Sequence, residues 1–279
     1  MSLQRMDTLL KAARKQHIAL GAFECWDSLN VEGIARAAAA THSPVIFQAT
    51  AMEFGSIGGA DALACIVNYY IKRFDIDAAL HLDHGASIEE VEECVKAGYS
   101  SVMLDASIHP FEENVRLSKM AAEIAHAHNA SCEAELGHVG GGDGGVGTES
   151  VLTVPGEAAE FVRRTGVDCL AVAIGTVHGE YKGKPELKLD RLAEIAATVE
   201  EPLVLHGGSG TPIDLLQAAI KLGIAKINIC TDINKAFLAG IEEARATKTP
   251  SLAGYFYRPA VASLQKKTEE LIRQFRCEK

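Results

Sequence analysis

The sequence predicts a single (β/α)8 barrel, and three observations predict it. Eight apolar, β-rich runs alternate with helix-patterned stretches along 279 residues. The runs lack the polar alternation of a half-exposed strand, as parallel strands covered on both faces do. The length suits one barrel, and no Pro- or Ser-rich linker divides the chain, so 1–279 reads as one domain.

The strand candidates are 18–24, 44–50, 78–84, 100–106, 130–137, 169–175, 202–206 and 226–231. The helix candidates are 28–41, 59–73, 87–97, 112–128, 155–165, 190–199, 212–222 and 232–246, with a C-terminal helix near 259–275. Met1 to Lys15 is charged and helix-prone and lacks the apolar core of a signal peptide. Ser87 followed by Glu90 predicts a capping box for the helix over 87–97, which Ala97-Gly98 ends. Thr211-Pro212 opens the helix over 212–222, with proline in its first turn. Gly140 to Gly147 holds six glycines in eight residues, within a loop over about 138–153. Two readings stand: a mobile active-site flap or a surface loop.

Composition narrows the partners. Net charge is −10 with the signs intermixed, which argues against nucleic acid and anionic membranes but not against a phosphorylated metabolite. No stretch approaches membrane-span length. The seven cysteines (25, 65, 94, 132, 169, 230, 277) are odd in number and lack CxxC spacing. They read as buried free thiols in a reducing cytoplasm.

Three of the strands end alike. His81-Leu82-Asp83-His84-Gly85, Thr176-Val177-His178-Gly179 and Leu205-His206-Gly207-Gly208-Ser209-Gly210 each close an apolar run with a histidine followed by glycine. In a parallel barrel these ends share one face. Three imidazoles there leave a fourth tetrahedral zinc position open, the arrangement of a catalytic site. Asp83 beside a ligand is either an acid/base or an orienting group. Asp105 and Glu135 are either buried polar supports or ligands to a second cation. His81 reads as a barrel-interior or supporting group, and the other histidines as surface residues, with His138 opening the flap. The Gly207-Gly208-Ser209-Gly210 turn leads into a helix, which favours an anion, and Asn228 and Thr231 stand in and at the end of the next strand. Thr50, at the end of the second run, is a further substrate-binding candidate.

At these residues the chain resembles the class II, metal-dependent fructose-/tagatose-bisphosphate aldolase family. The resemblance runs from Gly21-Ala22-Phe23 to about Asn234. It is carried by His81 to His84, Glu133-Ala134-Glu135-Leu136-Gly137 with Gly140-Gly141, Ala173 to Gly179 running on to Tyr181-Lys182-Gly183, Leu203 to Gly210, and Lys226-Ile227-Asn228. It implies zinc on His84, His178 and His206, and Asp83 as the acid/base at the carbon–carbon bond. It implies that Gly179, Gly207, Gly208, Ser209, Asn228 and Thr231 hold the phosphate of dihydroxyacetone phosphate, and that Asp105 and Glu135 serve a second or alternate cation. The activity implied is reversible cleavage of a ketose 1-phosphate or bisphosphate to dihydroxyacetone phosphate and an aldehyde, through a zinc-stabilised enediolate, by a cytoplasmic homodimer or homotetramer. Class I aldolases use a lysine Schiff base instead; Lys226 starts strand eight, at the wrong end, and Lys182 lies in a loop.

Three positions depart from the family pattern. Gly142-Asp143-Gly144 stands where flap glutamates are usual, leaving Asp143 as the candidate for the proton on the enediolate carbon. Leu252-Ala253-Gly254 replaces an Asp-Pro-Arg, so glycine occupies the position of the arginine for the far phosphate, and Arg258 is shifted. Glu24 stands where asparagine is common. Other readings are an aldolase for a non-phosphorylated acceptor, a metal-dependent sugar-phosphate epimerase or isomerase, and a non-catalytic partner subunit.

Overall fold

The computed structural model describes residues 2–141, 149–181, 183, 185–247 and 252–278. Its eight strands are β1 (Leu20–Glu24), β2 (Val45–Ala49), β3 (Ala78–Gly85), β4 (Ser101–Leu104), β5 (Ser131–Leu136), β6 (Cys169–Val172), β7 (Leu203–Leu205) and β8 (Ile224–Ile229). All neighbours pair in parallel, and β8 pairs back onto β1, so the predicted TIM barrel is closed. The first four helices are α1 (Met6–Lys15), α2 (Ser28–Thr41), α3 (Ala51–Ile57) and α4 (Ala60–Phe74). α5 (Ile88–Lys96), α6 (Phe111–Ala127), α7 (Pro155–Thr165) and α8 (Leu189–Ala196) follow. The last are α9 (Ile213–Lys221), α10 (Thr231–Ala246), α11 (Ala253–Phe256) and α12 (Arg258–Phe275). No helix among the described residues is long and apolar enough to cross a membrane.

Strand alternation divides the core in two. Outward residues such as Phe23, Phe47, Leu80 and Leu170 join the helices in one apolar shell. Inward residues such as Leu20, Ala22, Ile46, Ala79, Ala171 and Val204 fill the lower barrel. Met6, Leu9, Leu10 and Ala13 of α1 pack into that inner cluster, so the helix-prone N-terminus stoppers the barrel floor. The mouth at the other end is left to polar side chains.

Boundaries differ from expectation in instructive ways. Pro212 sits before the first residue of α9 at φ −53°, ψ 135°, as the cap rather than in the first turn. Ser87 caps α5 through Glu90 N, but Glu90 Oε2 reaches Ala86 N instead of closing a box on Ser87. A complete capping box does occur at Thr50 and Glu53, on α3, a short helix that carries no long apolar period to announce it. Strand eight starts two residues before Lys226 and stops at Ile229, so Thr231 opens α10 rather than ending a strand. Strand six stops at Val172, three residues short of the expected end. Four of the cysteines are buried, while Cys65 and Cys230 are exposed and Cys277 is half-buried; all are free thiols. Asp143 and the centre of the glycine-rich loop lie outside the described residues, as does Lys182. The loop's described stems are tied by paired His138 and Val151 backbones at 2.7 and 2.8 Å, and Gly141 bridges to His178.

α10 and α12 cross closely because Gly240 has no side chain: a Cβ there would sit 2.5 Å from Ala260 Cα and from Pro259 O. Both neighbours are backbone and cannot rotate away. Gly240→Ala is expected to destabilise the fold by about 1–3 kcal/mol in urea unfolding, the usual cost of overpacking; a neutral effect would show that the crossing relaxes freely.

A candidate active site at the barrel mouth

Alternation along the strands builds the mouth. Glu24, Gln48, Asp83, Glu135 and Asn228 continue the inward series of β1, β2, β3, β5 and β8, and His206 follows β7 in the same phase. One layer deeper lie His81, Glu133 and Lys226, all wholly buried.

His84 breaks this rule. Alternation would turn it away from Asp83, yet both line the cleft. His84 has φ +45°, in the left-handed region that few side chains enter, and the β3–β4 register shifts between Leu82 and Gly85. The kink turns two consecutive residues into one mouth, at a conformational cost of about 1–3 kcal/mol.

The three strand-end histidines converge. The His84 ring centroid lies 4.9 Å from that of His178 and 4.5 Å from that of His206. Each of the three offers a ring nitrogen within 4.8 Å of the others'. His84 Nε2 and His178 Nε2 are buried without a hydrogen-bond partner, and His206 Nδ1, also buried, lies 3.1 Å from Glu135 Oε2. On two of the rings the opposite nitrogen is held: His84 Nδ1 lies 2.7 Å from Asp105 Oδ2, and His206 Nε2 lies 2.7 Å from Glu133 Oε1. Orphaned imidazole nitrogens are costly unless something binds them, and rings held by carboxylates at the far nitrogen are typical of metal ligands. His84, Asp105 and Glu135 form a second group of possible ligands, and His81, Asp83 and Glu133 a third.

The charges beneath are interlocked. Lys226 Nζ lies 2.8 Å from Glu133 Oε2, with both side chains fully buried, so this lysine is committed to an ion pair. Burial alone would raise the Glu133 carboxyl, but Lys226 and the His206 hydrogen bond hold it below the usual range. Burial and then the Lys226 charge push His81 down to about 3, and its Nδ1 meets Ser101 Oγ at 2.9 Å. Burial opposes protonation of His206 and His84, but carboxylates win at both. Glu133 and Glu135 raise His206 to about 10, and Asp83 and Asp105 raise His84 to about 9. Burial and the His84 charge lower His178 to about 3. The His84 hydrogen bond overcomes burial to hold Asp105 below its ordinary value.

Asp83 is gripped from two sides. Gln48 Nε2 donates to its Oδ2 at 2.9 Å, and Asn228 Nδ2 donates to its two oxygens at 3.0 and 3.2 Å. Burial would raise its carboxyl, yet His84 and the other nearby cations lower it. The Asn228 amide, expected at the phosphate, thus also holds Asp83.

A cleft of about 490 Å³ joins these groups. Of the predicted residues it is lined by Thr50, Asp83, His84, Asp105, His178, Gly179, Gly207, Ser209, Asn228 and Thr231. His206 and Glu135 lie beneath it, fully buried. Gly208 stands behind, where a Cβ would meet Ile227 Cγ2 at 2.4 Å. At Gly207, φ +65° and a Cβ position 2.3 Å from Val177 O leave room only for glycine. Ser209 Oγ accepts from the Cys230 and Asp232 backbone amides at 3.3 Å, at the N-terminus of α10. His138, read as a surface residue, lines the cleft instead and holds Ser107 Oγ at 2.8 Å. Gln48 and Lys226 carry supporting roles that sequence reasoning missed, and Glu133, on the same side of its strand as Glu135, lies one layer below the mouth; the inward phase of their strands is the signal that marks them.

The family model of class-II fructose-bisphosphate aldolase matches residues 4–279. A fructose-bisphosphate aldolase of Geobacillus stearothermophilus is 42% identical over 255 residues, 90% of this chain and 88% of that one. A 6-phospho-5-dehydro-2-deoxy-D-gluconate aldolase of Shouchella clausii is 38% identical over 281 residues, 99% of this chain and 95% of that one. The crystal structure of the YdjI aldolase from Escherichia coli K12 superposes with a TM-score of 0.88 at 32% identity, covering 98% of this chain and 97% of that one.

Two measurements probe the site. Lys226→Met leaves Glu133 buried without its cation and is expected to cost about 3–5 kcal/mol in urea unfolding, with partial recovery on adding Glu133→Gln; a loss below about 1 kcal/mol would contradict the pairing. Metals bind neutral imidazole, whereas His84 and His206 titrate near 9 and 10. Zinc affinity of chelator-treated protein is therefore expected to fall as pH drops below about 9, with proton release on binding. Calorimetry in buffers of different ionisation enthalpy reads that release, and equal heats in all buffers would refute it.

Proposed function

The chain belongs to the class II fructose-bisphosphate aldolase family, and from that premise we propose that it reversibly cleaves a ketose 1-phosphate or ketose bisphosphate, of the fructose or tagatose type, to dihydroxyacetone phosphate and an aldehyde. The supporting observation is the set of three converging, buried imidazole nitrogens beside a gripped carboxylate. His84, His178 and His206 would hold a divalent metal, zinc being the best match to three imidazoles. When bound, the metal supplies positive charge where negative charge develops on the ketone half. Asp105 and Glu135, with His84, form a candidate position for a second cation.

Asp83 is the acid/base. Its carboxyl is held ionised, the form that can take a proton, and Gln48 and Asn228 fix its direction. It takes the hydroxyl proton from the aldehyde half during cleavage and returns it in condensation. Gly179, Gly207, Gly208, Ser209 and Thr231 form the seat for the donor phosphate, where α10 begins and backbone can approach closely. Asn228, which lines the same cleft, belongs to that seat too, its amide nitrogen also holding Asp83. Lys226 is locked to Glu133, which leaves no free amine there for Schiff-base chemistry. The free thiols suit a reducing cytoplasm.

Asp83→Ala is expected to retain stoichiometric zinc while losing at least about a hundredfold in cleavage rate, whereas His206→Ala loses the metal. Metal analysis alongside a coupled assay for dihydroxyacetone phosphate separates the two. Interconversion of ketose phosphates without carbon–carbon cleavage would instead identify an epimerase or isomerase.

A further inference from the structure

Two strands round the rim from the glycine turn, the wall of the cleft over β1 to β3 is built from acceptors. Glu24 is 4% exposed and is fixed at both ends. Its backbone carbonyl accepts from Asn30 Nδ2 at 2.7 Å, and Asn30 N in turn donates to the helix-capping Asp27 at 2.7 Å. Its Oε1 accepts from Thr50 N at 3.0 Å, an amide shared with Glu53 Oε2 at 3.0 Å. Its Oε2 accepts from Gln48 Nε2 at 3.2 Å, the same group that grips Asp83. Glu53, Glu24 and Asp83 thus form a connected row of carboxylates along one wall. Gln48 Oε1 and Asn228 Oδ1, also in the mouth, are buried acceptors without a hydrogen-bond partner.

Donors are scarce on this wall. No lysine or arginine is among the described residues lining the cleft. Arg258 lies elsewhere, with its guanidinium 4.3 Å from the centre of the Tyr255 ring. A phosphate offers acceptor oxygens and binds through donors and cations, whereas a hydroxyl can donate to a carboxylate or an amide oxygen. Burial, and then the charges of Asp83 and Glu53, already push the Glu24 carboxyl well above its ordinary range. A further anion in the same space raises that electrostatic cost.

We propose that Glu24, with Gln48 Oε1 beside it, forms a specificity subsite that takes the hydroxyl groups of an unphosphorylated aldehyde and rejects an aldehyde bearing a terminal phosphate. This rests on the aldolase reading above and names its acceptor class. Glu24 acts by contact with substrate, not by transferring the reaction's proton, which Asp83 does.

The zinc-loaded protein is given dihydroxyacetone phosphate with either DL-glyceraldehyde or DL-glyceraldehyde 3-phosphate, and kcat/KM is measured for each acceptor. The racemates present both enantiomers of each acceptor. The unmodified protein is expected to favour glyceraldehyde by at least about tenfold, or 1.4 kcal/mol. Glu24→Gln, which keeps the shape but replaces one carboxyl oxygen with an NH2 donor, is expected to reduce that ratio at least about fivefold. Because both rates come from one preparation, the ratio does not depend on how much of the variant is active. A preference for glyceraldehyde 3-phosphate in the unmodified protein, or an unchanged ratio in Glu24→Gln, overturns the inference. If the variant does not fold, Glu24→Asn gives the second comparison, and the unmodified ratio still decides against the idea when it favours the phosphate. Deuterium exchange into dihydroxyacetone phosphate, followed by NMR, tests the donor half separately. Exchange without the predicted preference, or without turnover of either acceptor, overturns the subsite and leaves donor activation standing. Neither exchange nor turnover overturns the aldolase reading and the subsite together.

Discussion

Closure of β8 onto β1 is the constraint on which everything else rests. In a closed parallel barrel every strand delivers its C-terminal end to the same rim. Residues as distant in sequence as Glu24, Asp83, His178 and Asn228 can therefore share one cleft without any long-range loop to bring them there. Because α1 and the small inward residues fill the lower barrel, polar groups are admitted only toward the mouth. The interior is thus graded, apolar at the floor, ionic in the middle and open at the top.

The ionic middle layer explains the geometry above it. Buried charges are tolerable only when paired, and Lys226, Glu133 and His206 satisfy one another in sequence. That chain sets which nitrogen of His206 faces the cleft. Asp105 does the same for His84. The mouth is therefore arranged partly by the buried layer beneath it and partly by Asp105 on its own wall.

Much of this is legible in the sequence itself. Eight unalternating apolar runs announced the barrel, and the recurrence of histidine before glycine announced the convergence. What escaped the sequence did so for physical reasons. α3 is seven residues long and buries no residue fully, so it leaves no apolar period to read. Pro212 has a φ that fits both the first turn and the position before it, and only ψ separates the two. Gln48 looks like any residue in a buried strand until the register sets it opposite both Glu24 and His81. Asn228 illustrates a subtler gap: its place at the mouth was evident, but its commitment to Asp83 depends on a contact across the barrel, between residues 145 positions apart.

The left-handed turn at His84 sets Asp83 and His84 on one short kink, and so ties two jobs together. Any shift of the backbone there moves the Asp83 carboxylate and the His84 imidazole together. An evolving sequence cannot retune one without disturbing the other. The wall at Glu24 is joined to that kink through a side chain, the Gln48 amide that bonds both Glu24 and Asp83, rather than through the backbone. A substitution at Glu24 can therefore reach Asp83 through Gln48 without moving the main chain of β3.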